Sequence, residues 1–265
     1  MCEGLSQALC LMNQAVKTYS ERDVNPFDAK PKLKIAVEGG IGSGKTSFLN
    51  VVSKSHFSPF CKIIPEPINE WRNFHGSNLL DRVYKQPSFG FSFQTYSHLS
   101  LLKRHNSSEQ RAIHIQERSV YSSNYVFAQS MLQSGTLDKT EYQILSEWLS
   151  YFISTNSADA MIDVLLYFRL RPEKALMRVR ERGRSEEEEI SLDFMQAIHD
   201  CYESWLIRGE VGGKDPPFQV IVVDAEKSME EIKTLFVRSA KEAQFMVTRV
   251  ATSPCAISLF DTQRI

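Results

Sequence analysis

The chain has 265 residues, of which 42% are hydrophobic and 24% charged, and its formal net charge is −1. This length and composition suit one large α/β domain with a substantial core, and the near-neutral charge gives no general attraction to nucleic acid. No apolar run approaches the ~20 residues that a membrane span needs. The five cysteines form no C-x-x-C pair, which favours reduced thiols over a disulfide framework or a zinc site.

Residues 1–31 read as an N-terminal extension in which a short amphipathic helix is compatible with the sequence. Glu3, Glu21 and Asp23 stand there among few basic residues, so the composition does not support a mitochondrial transit peptide. We therefore expect a soluble intracellular protein, cytoplasmic or mitochondrial, that binds neither membranes nor nucleic acid. The main domain is predicted to span residues 32–240, and residues 241–265 to form a C-terminal tail.

Five apolar, β-branched runs predict strands, and longer helical patterns separate them. The predicted strands are 33–37, 61–64, 113–115, 162–168 and 219–223. The clearest helical patterns cover 45–54, 91–105, 122–134, 140–155, 172–182 and 192–207. Near-continuous apolar strands that alternate with helices are typical of a parallel sheet covered on both faces. The fold class is therefore α/β, a P-loop NTPase type with a five-stranded parallel sheet.

A complete P-loop follows the first predicted strand. Its residues after Glu38 are Gly39, Gly40, Ile41, Gly42, Ser43, Gly44, Lys45 and Thr46. A glycine-rich turn between a strand and a helix directs backbone N–H groups and a helix N-terminus at one point, which suits a triphosphate. Lys45 would then reach the β- and γ-phosphates, and the Thr46 hydroxyl would bind the bridging Mg²⁺. A glycine-rich loop with a helix-capping lysine is the simpler alternative, but the match at all four fixed positions favours the P-loop.

Three further motifs follow later strands, at the edge of the sheet where ligands of open α/β sheets bind. They are Glu66 to Trp71, then Glu117 to Ser119, and a run of arginines from Arg178 to Arg184 that leads into four glutamates. Spacing alone leaves each of them open. Glu66 could start a helix as readily as act as a base. Glu117 with Arg118 could be a plain ion pair, and the arginine run could be a solvated helix face.

Taken together and in this order, the motifs resemble those of the deoxynucleoside kinase family, in the branch that holds the mitochondrial thymidine kinase and the insect multisubstrate enzymes. The resemblance covers residues 33–236 and rests on the GxxGSGKT loop, EPxxxW, FQxY, ERS followed by YxF, and an RxRxEE lid. The chain departs from the family at Gly40, where an asparagine is usual. This position is not a required phosphate ligand, so we expect only a modest effect on loop rigidity.

The resemblance implies roles in catalysis, metal binding, phosphate binding and sugar binding. It makes Glu66 the general base for the 5′-hydroxyl, with Arg118 holding that carboxylate and the 5′-oxygen, and it adds Glu117 to the Mg²⁺ environment of Thr46. Arg178, Arg182 and Arg184 become a lid over the phosphates. Tyr84 and Glu187 become ligands of the 3′-hydroxyl, with the tyrosine ring favouring deoxyribose.

The resemblance also implies a base pocket. Trp71 and Phe127 would sandwich the nucleobase, and the Gln94 amide would bind its edge. Ser97, Leu101 and Ser123 would tune base choice, because the deoxycytidine and deoxyguanosine kinase branch carries an arginine and an aspartate at the last two positions. The absence of that charge pair predicts a kinase for thymidine and deoxycytidine, and the two serines leave room for a broader enzyme.

The sequence thus predicts an ATP- and Mg²⁺-dependent deoxynucleoside 5′-kinase, and the family adds the expectation of a homodimer. A purine-preferring kinase and a non-catalytic protein of the same fold are the alternatives. A GTP-hydrolysing switch is disfavoured because the chain has no N-K-x-D motif.

Overall fold

The computed structural model describes residues 3–20, 33–105, 111–155, 162–211, 217–228, 230–231 and 234. The predicted tail, 241–265, lies outside these residues. Within them, five strands form one parallel sheet, as predicted: β1 (Leu33–Glu38), β2 (Cys61–Ile64), β3 (Ile113–Glu117), β4 (Val164–Arg169) and β5 (Gln219–Asp224). No helix in the described part of the chain is both long and apolar enough to cross a membrane.

Helices connect and cover the strands. They are α1 (Glu3–Ser20), α2 (Lys45–Ser53), α3 (Ile68–Arg72), α4 (Leu79–Lys85), α5 (Gly90–His105), α6 (Val120–Ser122), α7 (Gln129–Gln133), α8 (Lys139–Thr155), α9 (Pro172–Arg182) and α10 (Leu192–Tyr202). Each of the segments Ser123–Ala128 and Glu203–Ile207 is π-helical. Alternate strand residues enter two separate apolar cores, Val37 and Leu166 on one face and Ala36 and Leu165 on the other. This confirms helices on both faces of the sheet.

The strand order, β2-β3-β1-β4-β5, places the ligand crevice. The chain leaves β1 towards β2 and β3 on one side and later crosses to β4 on the other, so the order reverses between β1 and β3. Open α/β sheets bind ligands beyond the carboxyl ends of the strands at such a reversal. Here Val37 pairs with Glu117, which brings the P-loop alongside the ERS motif.

Helix α1 belongs to the packed structure, although it lies in the segment predicted as an extension. Leu5, Ala8, Leu9, Met12 and Ala15 recur at helical spacing and are buried in the first core. The helix packs mainly against β5. How the chain divides into an extension, a domain and a tail stays a prediction.

Candidate active site

One large cavity opens at the carboxyl ends of the strands and has a volume of about 930 Å³. Most of the residues selected from the sequence line it. They are Ile41, Gly42, Gly44, Lys45, Thr46, Glu66, Trp71, Tyr84, Gln94, Glu117, Arg118, Phe127, Arg178, Arg182, Arg184 and Glu187. The fold therefore gathers segments from 41 to 187 around a space large enough for small-molecule ligands.

Two positions of the P-loop need glycine, because the backbone of another segment lies too close to leave space for a Cβ atom. Gly39 has φ +142°, and a Cβ there would lie 2.6 Å from the Phe168 carbonyl oxygen. Gly42 has φ +78°, and a Cβ at this position would lie 2.6 Å from the Ala175 carbonyl oxygen. Gly40 differs, because a Cβ there would meet no atom within 4 Å. The loop thus has space for a side chain at the position where the chain departs from the family pattern.

Lys45 lies in the first turn of α2 and is buried, with 5% of its surface exposed. Its ammonium donates hydrogen bonds to the carbonyl oxygens of Gly39 (3.0 Å) and Gly40 (2.9 Å). Burial lowers the pKa of Lys45 to about 8, and the charge of Arg118 acts in the same direction. A phosphate anion at this point would compensate for the lost solvation of the ammonium.

Thr46 and Glu117 meet at the mouth of the P-loop. The Thr46 hydroxyl donates a hydrogen bond of 2.6 Å to Glu117 Oε1. One hydroxyl and one carboxylate are hard oxygen donors of the kind Mg²⁺ accepts, and Mg²⁺ usually completes its shell with water and phosphate oxygens. The described residues hold no cluster of three or more His, Cys, Asp or Glu side chains suited to a metal. Two hard oxygen donors are fewer than the six ligands of Mg²⁺, so the pair fits a Mg²⁺ ion that takes its other ligands from water and phosphate oxygens.

Glu66 and Arg118 form an ion pair between the ends of β2 and β3. Arg118 Nε donates to Glu66 Oε1 at 2.6 Å, and both side chains are largely buried. The guanidinium also lies over the Phe127 ring, 4.4 Å from its centroid. Arg118 has φ +65°, a left-handed conformation that costs a non-glycine residue free energy and recurs at functional sites. The arrangement holds one carboxylate oxygen at a defined place in the cavity wall.

The proposed base pocket has Trp71 and Phe127 in its wall. Trp71 is 4% exposed, donates its indole N–H to Ser100 Oγ (2.9 Å) and packs edge-on against Phe93. These contacts fix the ring in one orientation. Leu101 packs in the same apolar cluster as Trp71 and does not line the cavity.

Gln94 is 1% exposed and joins a chain of buried hydroxyls. Its Oε1 accepts a hydrogen bond from Ser123 Oγ (3.1 Å), and Ser123 is in turn 3.2 Å from Ser97 Oγ. Among the described residues, Gln94 Nε2 donates to the Met131 sulfur, which is 3.6 Å away and a weak acceptor. Ser97 and Ser123 do not line the cavity but stand one layer behind it, so any effect they have on a ligand passes through Gln94.

The arginines of the predicted lid line the cavity and are partly neutralised. Arg182 and Arg184 donate to the two oxygens of Glu187, at 2.6 and 3.2 Å. Arg178 instead donates to the backbone carbonyl of Ala225 (3.1 Å). Tyr84 lies nearby, where burial and then the charge of Glu187 raise the pKa of its phenol. Glu187 thereby links the arginines to the side of the cavity that holds Tyr84.

Sequence reasoning missed several charged residues near the site, among them Arg72, Glu186 and Glu38. Arg72 Nε donates to Glu186 Oε1 at 2.7 Å, which ties α3 to the arginine-rich segment, and both residues line the cavity. Glu38 is completely buried behind the P-loop. Only position could have indicated them: Arg72 follows Trp71, Glu186 precedes Glu187, and Glu38 directly precedes the first P-loop glycine.

Comparisons with known proteins agree on one family. The family model for deoxynucleoside kinases matches residues 35–247. Mitochondrial thymidine kinase 2 is 35% identical in Macaca fascicularis and 34% in Homo sapiens, in each case over 79% of this chain and 77% of the relative. Deoxycytidine kinase 2 of Gallus gallus is 31% identical over 80% of this chain and 89% of its own length. On the strength of the matched domain and of relatives that share most of its length, this chain belongs to the deoxynucleoside kinase family.

Proposed function

We propose that the protein transfers the γ-phosphoryl group of ATP to the 5′-hydroxyl of a deoxyribonucleoside, with thymidine and deoxycytidine as the main substrates. The observation that carries the proposal is one cavity lined by groups of three different kinds. They are the P-loop with Lys45, the Glu66–Arg118 ion pair, and Gln94 together with the aromatic rings of Trp71 and Phe127.

At the phosphate end, Lys45 and the arginines supply positive charge. Lys45 would exchange its two carbonyl acceptors for phosphate oxygens, and Arg182 and Arg184 would turn from Glu187 towards the transferred group. Thr46 and Glu117 would hold Mg²⁺, which when bound neutralises phosphate charge.

At the reacting centre, Glu66 accepts the proton of the 5′-hydroxyl as its oxygen attacks the γ-phosphorus. The new P–O bond forms while the bond to the β,γ-bridging oxygen breaks, so ADP leaves. Arg118 keeps the Glu66 carboxylate oriented through its 2.6 Å hydrogen bond. Because the same guanidinium reaches the cavity, it also steadies the attacking oxygen.

At the base end, Gln94 can satisfy either pyrimidine. Its Nε2 donates to a weak sulfur acceptor in the described part of the chain, so thymine O4 or cytosine N3 can replace that contact with a stronger hydrogen bond. Its Oε1 keeps a second lone pair beyond the Ser123 bond for a base N–H. The Ser123 hydroxyl contacts this oxygen and Ser97 lies next to Ser123, and neither serine carries a charge.

The test is a substrate panel with the purified protein, ATP and Mg²⁺. We expect deoxynucleoside monophosphate to form, with higher kcat/KM for thymidine and deoxycytidine than for deoxyadenosine and deoxyguanosine. A strong preference for either purine nucleoside would overturn the pyrimidine assignment and leave the kinase activity standing. Absence of monophosphate from all four, alongside an equally inactive Lys45→Ala variant, would overturn the kinase itself.

We also propose that the protein acts as a homodimer. Helix α8 exposes Ile144, Trp148 and Tyr151 at i, i+4 and i+7, so they form one apolar stripe. Trp148 is 61% exposed and Tyr151 is 65% exposed. A contiguous exposed apolar stripe of this kind marks an interaction surface more often than it marks plain solvent exposure. A second copy of the chain offers the same stripe and can bury both at once.

A further inference from the structure

Glu38 and Tyr202 form a buried hydrogen-bonded pair behind the cavity, and neither has a part in the mechanism described so far. Glu38 ends β1 and is 0% exposed. Its carboxylate accepts hydrogen bonds from Ser119 Oγ (2.6 Å) and from the Tyr202 hydroxyl (2.8 Å). Burial raises the pKa of Glu38, as expected for a carboxyl group removed from water. Burying a carboxyl group costs free energy, so the groups that it binds indicate its role in the structure.

The pair is connected to the reacting centre through one guanidinium. Arg118 Nη1 donates to the Tyr202 hydroxyl at 3.0 Å, while its Nε donates to Glu66 at 2.6 Å. Tyr202 and Glu38 do not line the cavity, so a substrate bound there would not touch them. The hydrogen bonds therefore form a chain from Glu38 through Tyr202 and Arg118 to Glu66.

Arg118 needs such support more than an ordinary arginine. Its left-handed backbone at φ +65° is maintained by surrounding structure, including the bond from its N–H to the Val37 carbonyl (3.0 Å). Its side chain is then held on two sides, by Glu66 at the cavity and by Tyr202 behind. Without the rear contact, Nη1 keeps only a long 3.3 Å bond to the Gly39 carbonyl.

We propose that Tyr202 and Glu38 are positioning residues for phosphoryl transfer, which act by holding the Arg118 guanidinium against Glu66. This rests on the proposed roles of those two residues. Loss of the rear contact would let the guanidinium turn, and a misplaced group lowers the rate of a reaction that depends on orientation. The effect should fall on kcat, because neither residue lines the cavity in which the substrates would bind.

Tyr202→Phe tests this by removing one hydroxyl, and Tyr167→Phe is a matched control. The two tyrosines are 0% and 1% exposed, and their rings stack with centroids 5.3 Å apart. Each hydroxyl donates to a buried glutamate, Tyr167 to Glu203 (3.0 Å) and Tyr202 to Glu38 (2.8 Å). The Tyr202 hydroxyl in addition accepts a hydrogen bond from Arg118. Both variants therefore lose a similar buried hydrogen bond, and only one loses the link to the reacting centre.

We expect Tyr202→Phe to lower kcat on the order of ten-fold with both KM values within two-fold of wild type, and Tyr167→Phe to leave kcat unchanged. Thermal unfolding of both variants is measured first. If Tyr202→Phe unfolds at the assay temperature, kcat of the wild type and both variants is compared at a lower temperature at which all three are folded. An unchanged kcat, or an equal loss in the Tyr167 control, overturns the positioning role. An inactive wild-type protein would instead refute the proposed function.

Discussion

Glu66 owes its defined place in the cavity to one residue, Arg118, whose own backbone is held in an uncommon conformation. A carboxylate that accepts a charge-assisted bond through one oxygen keeps its other oxygen for a substrate. Spacing alone could not distinguish this from a helix-start carboxylate, and only the family resemblance favoured the general base. The difference lies in the partner, which comes from a strand end fifty-two positions further along the chain.

Glu66→Gln should keep nucleoside binding and lower kcat by about 10²–10⁴-fold, because the amide has the shape of the carboxylate but cannot take the proton. Steady-state kinetics with thymidine and ATP measure both effects. Glu70→Gln is a suitable control, since Glu70 also pairs with an arginine, Arg104, but is about half exposed and does not line the cavity. A normal kcat with a raised KM in Glu66→Gln would assign Glu66 to substrate binding instead.

Lys45 gives a prediction of pH dependence. Its pKa is lowered from the usual 10.5 to about 8 in the free protein, whereas bound phosphates favour the protonated ammonium. Well below pH 8 most Lys45 side chains are already charged, so ATP affinity is close to its full value. As pH rises through 8, binding must first restore the proton, and affinity falls.

Calorimetry of ATP binding at pH 8.5, in two buffers of different ionisation enthalpy, should therefore detect uptake of most of a proton per ATP. The Lys45→Arg variant keeps its charge throughout this range and should show none from this site. Equal proton uptake by the two proteins would mean that Lys45 is charged in the free enzyme at this pH.

At the scale of elements, the strands were the most predictable part of the molecule. All five apolar runs became parallel strands, because a strand buried on both faces must be apolar along its whole length. The short helices α3 and α4 were not predicted, since five and seven residues are too few to show a helical period. The predicted helix over 122–134 contains the π-helical segment Ser123–Ala128, an irregularity that has no hydrophobic pattern of its own.

Helix α1 provides a prediction about stability. It lies before the segment matched by the family model, yet its buried face belongs to the main core. Leu9→Ala should lower the free energy of unfolding by about 2–5 kcal/mol, because Leu9 is 1% exposed and the truncated side chain leaves a cavity. Gln7→Ala, on the exposed face of the same helix, should change it by less than about 0.5 kcal/mol. Denaturant titrations of the three proteins measure both values, and similar stabilities would show that α1 is not held against the sheet.

At the scale of the whole molecule, the candidate site depends on contacts that no local pattern reveals. The P-loop could be read from eight consecutive residues, and together with the family motifs it pointed to about half of the residues that line the cavity. The Glu38–Tyr202 bond joins residues 164 positions apart, and nothing in either sequence neighbourhood indicates the other. Likewise, helical spacing placed Ser97 on the same face as Gln94 but could not tell that it lies behind the cavity wall.

Assembly is the remaining property at this scale, and the stripe on α8 makes it testable. Trp148→Glu places a charge at the centre of the stripe, so burial of that surface against a second copy would cost the desolvation of an unpaired carboxylate. We expect the wild-type mass measured by light scattering to be twice the 30.3 kDa of one chain, and that of Trp148→Glu to shift towards one chain.

Ile207→Glu is the matched control, because Ile207 is also an exposed apolar residue, 45% in contact with solvent, but lies in the π-helical segment Glu203–Ile207. It adds the same charge and removes a similar apolar side chain, so general effects on solubility are shared. The wild-type mass should persist in this variant. A monomeric wild-type protein would refute the homodimer proposal. A dimer that Trp148→Glu leaves intact would show that the interface does not involve α8.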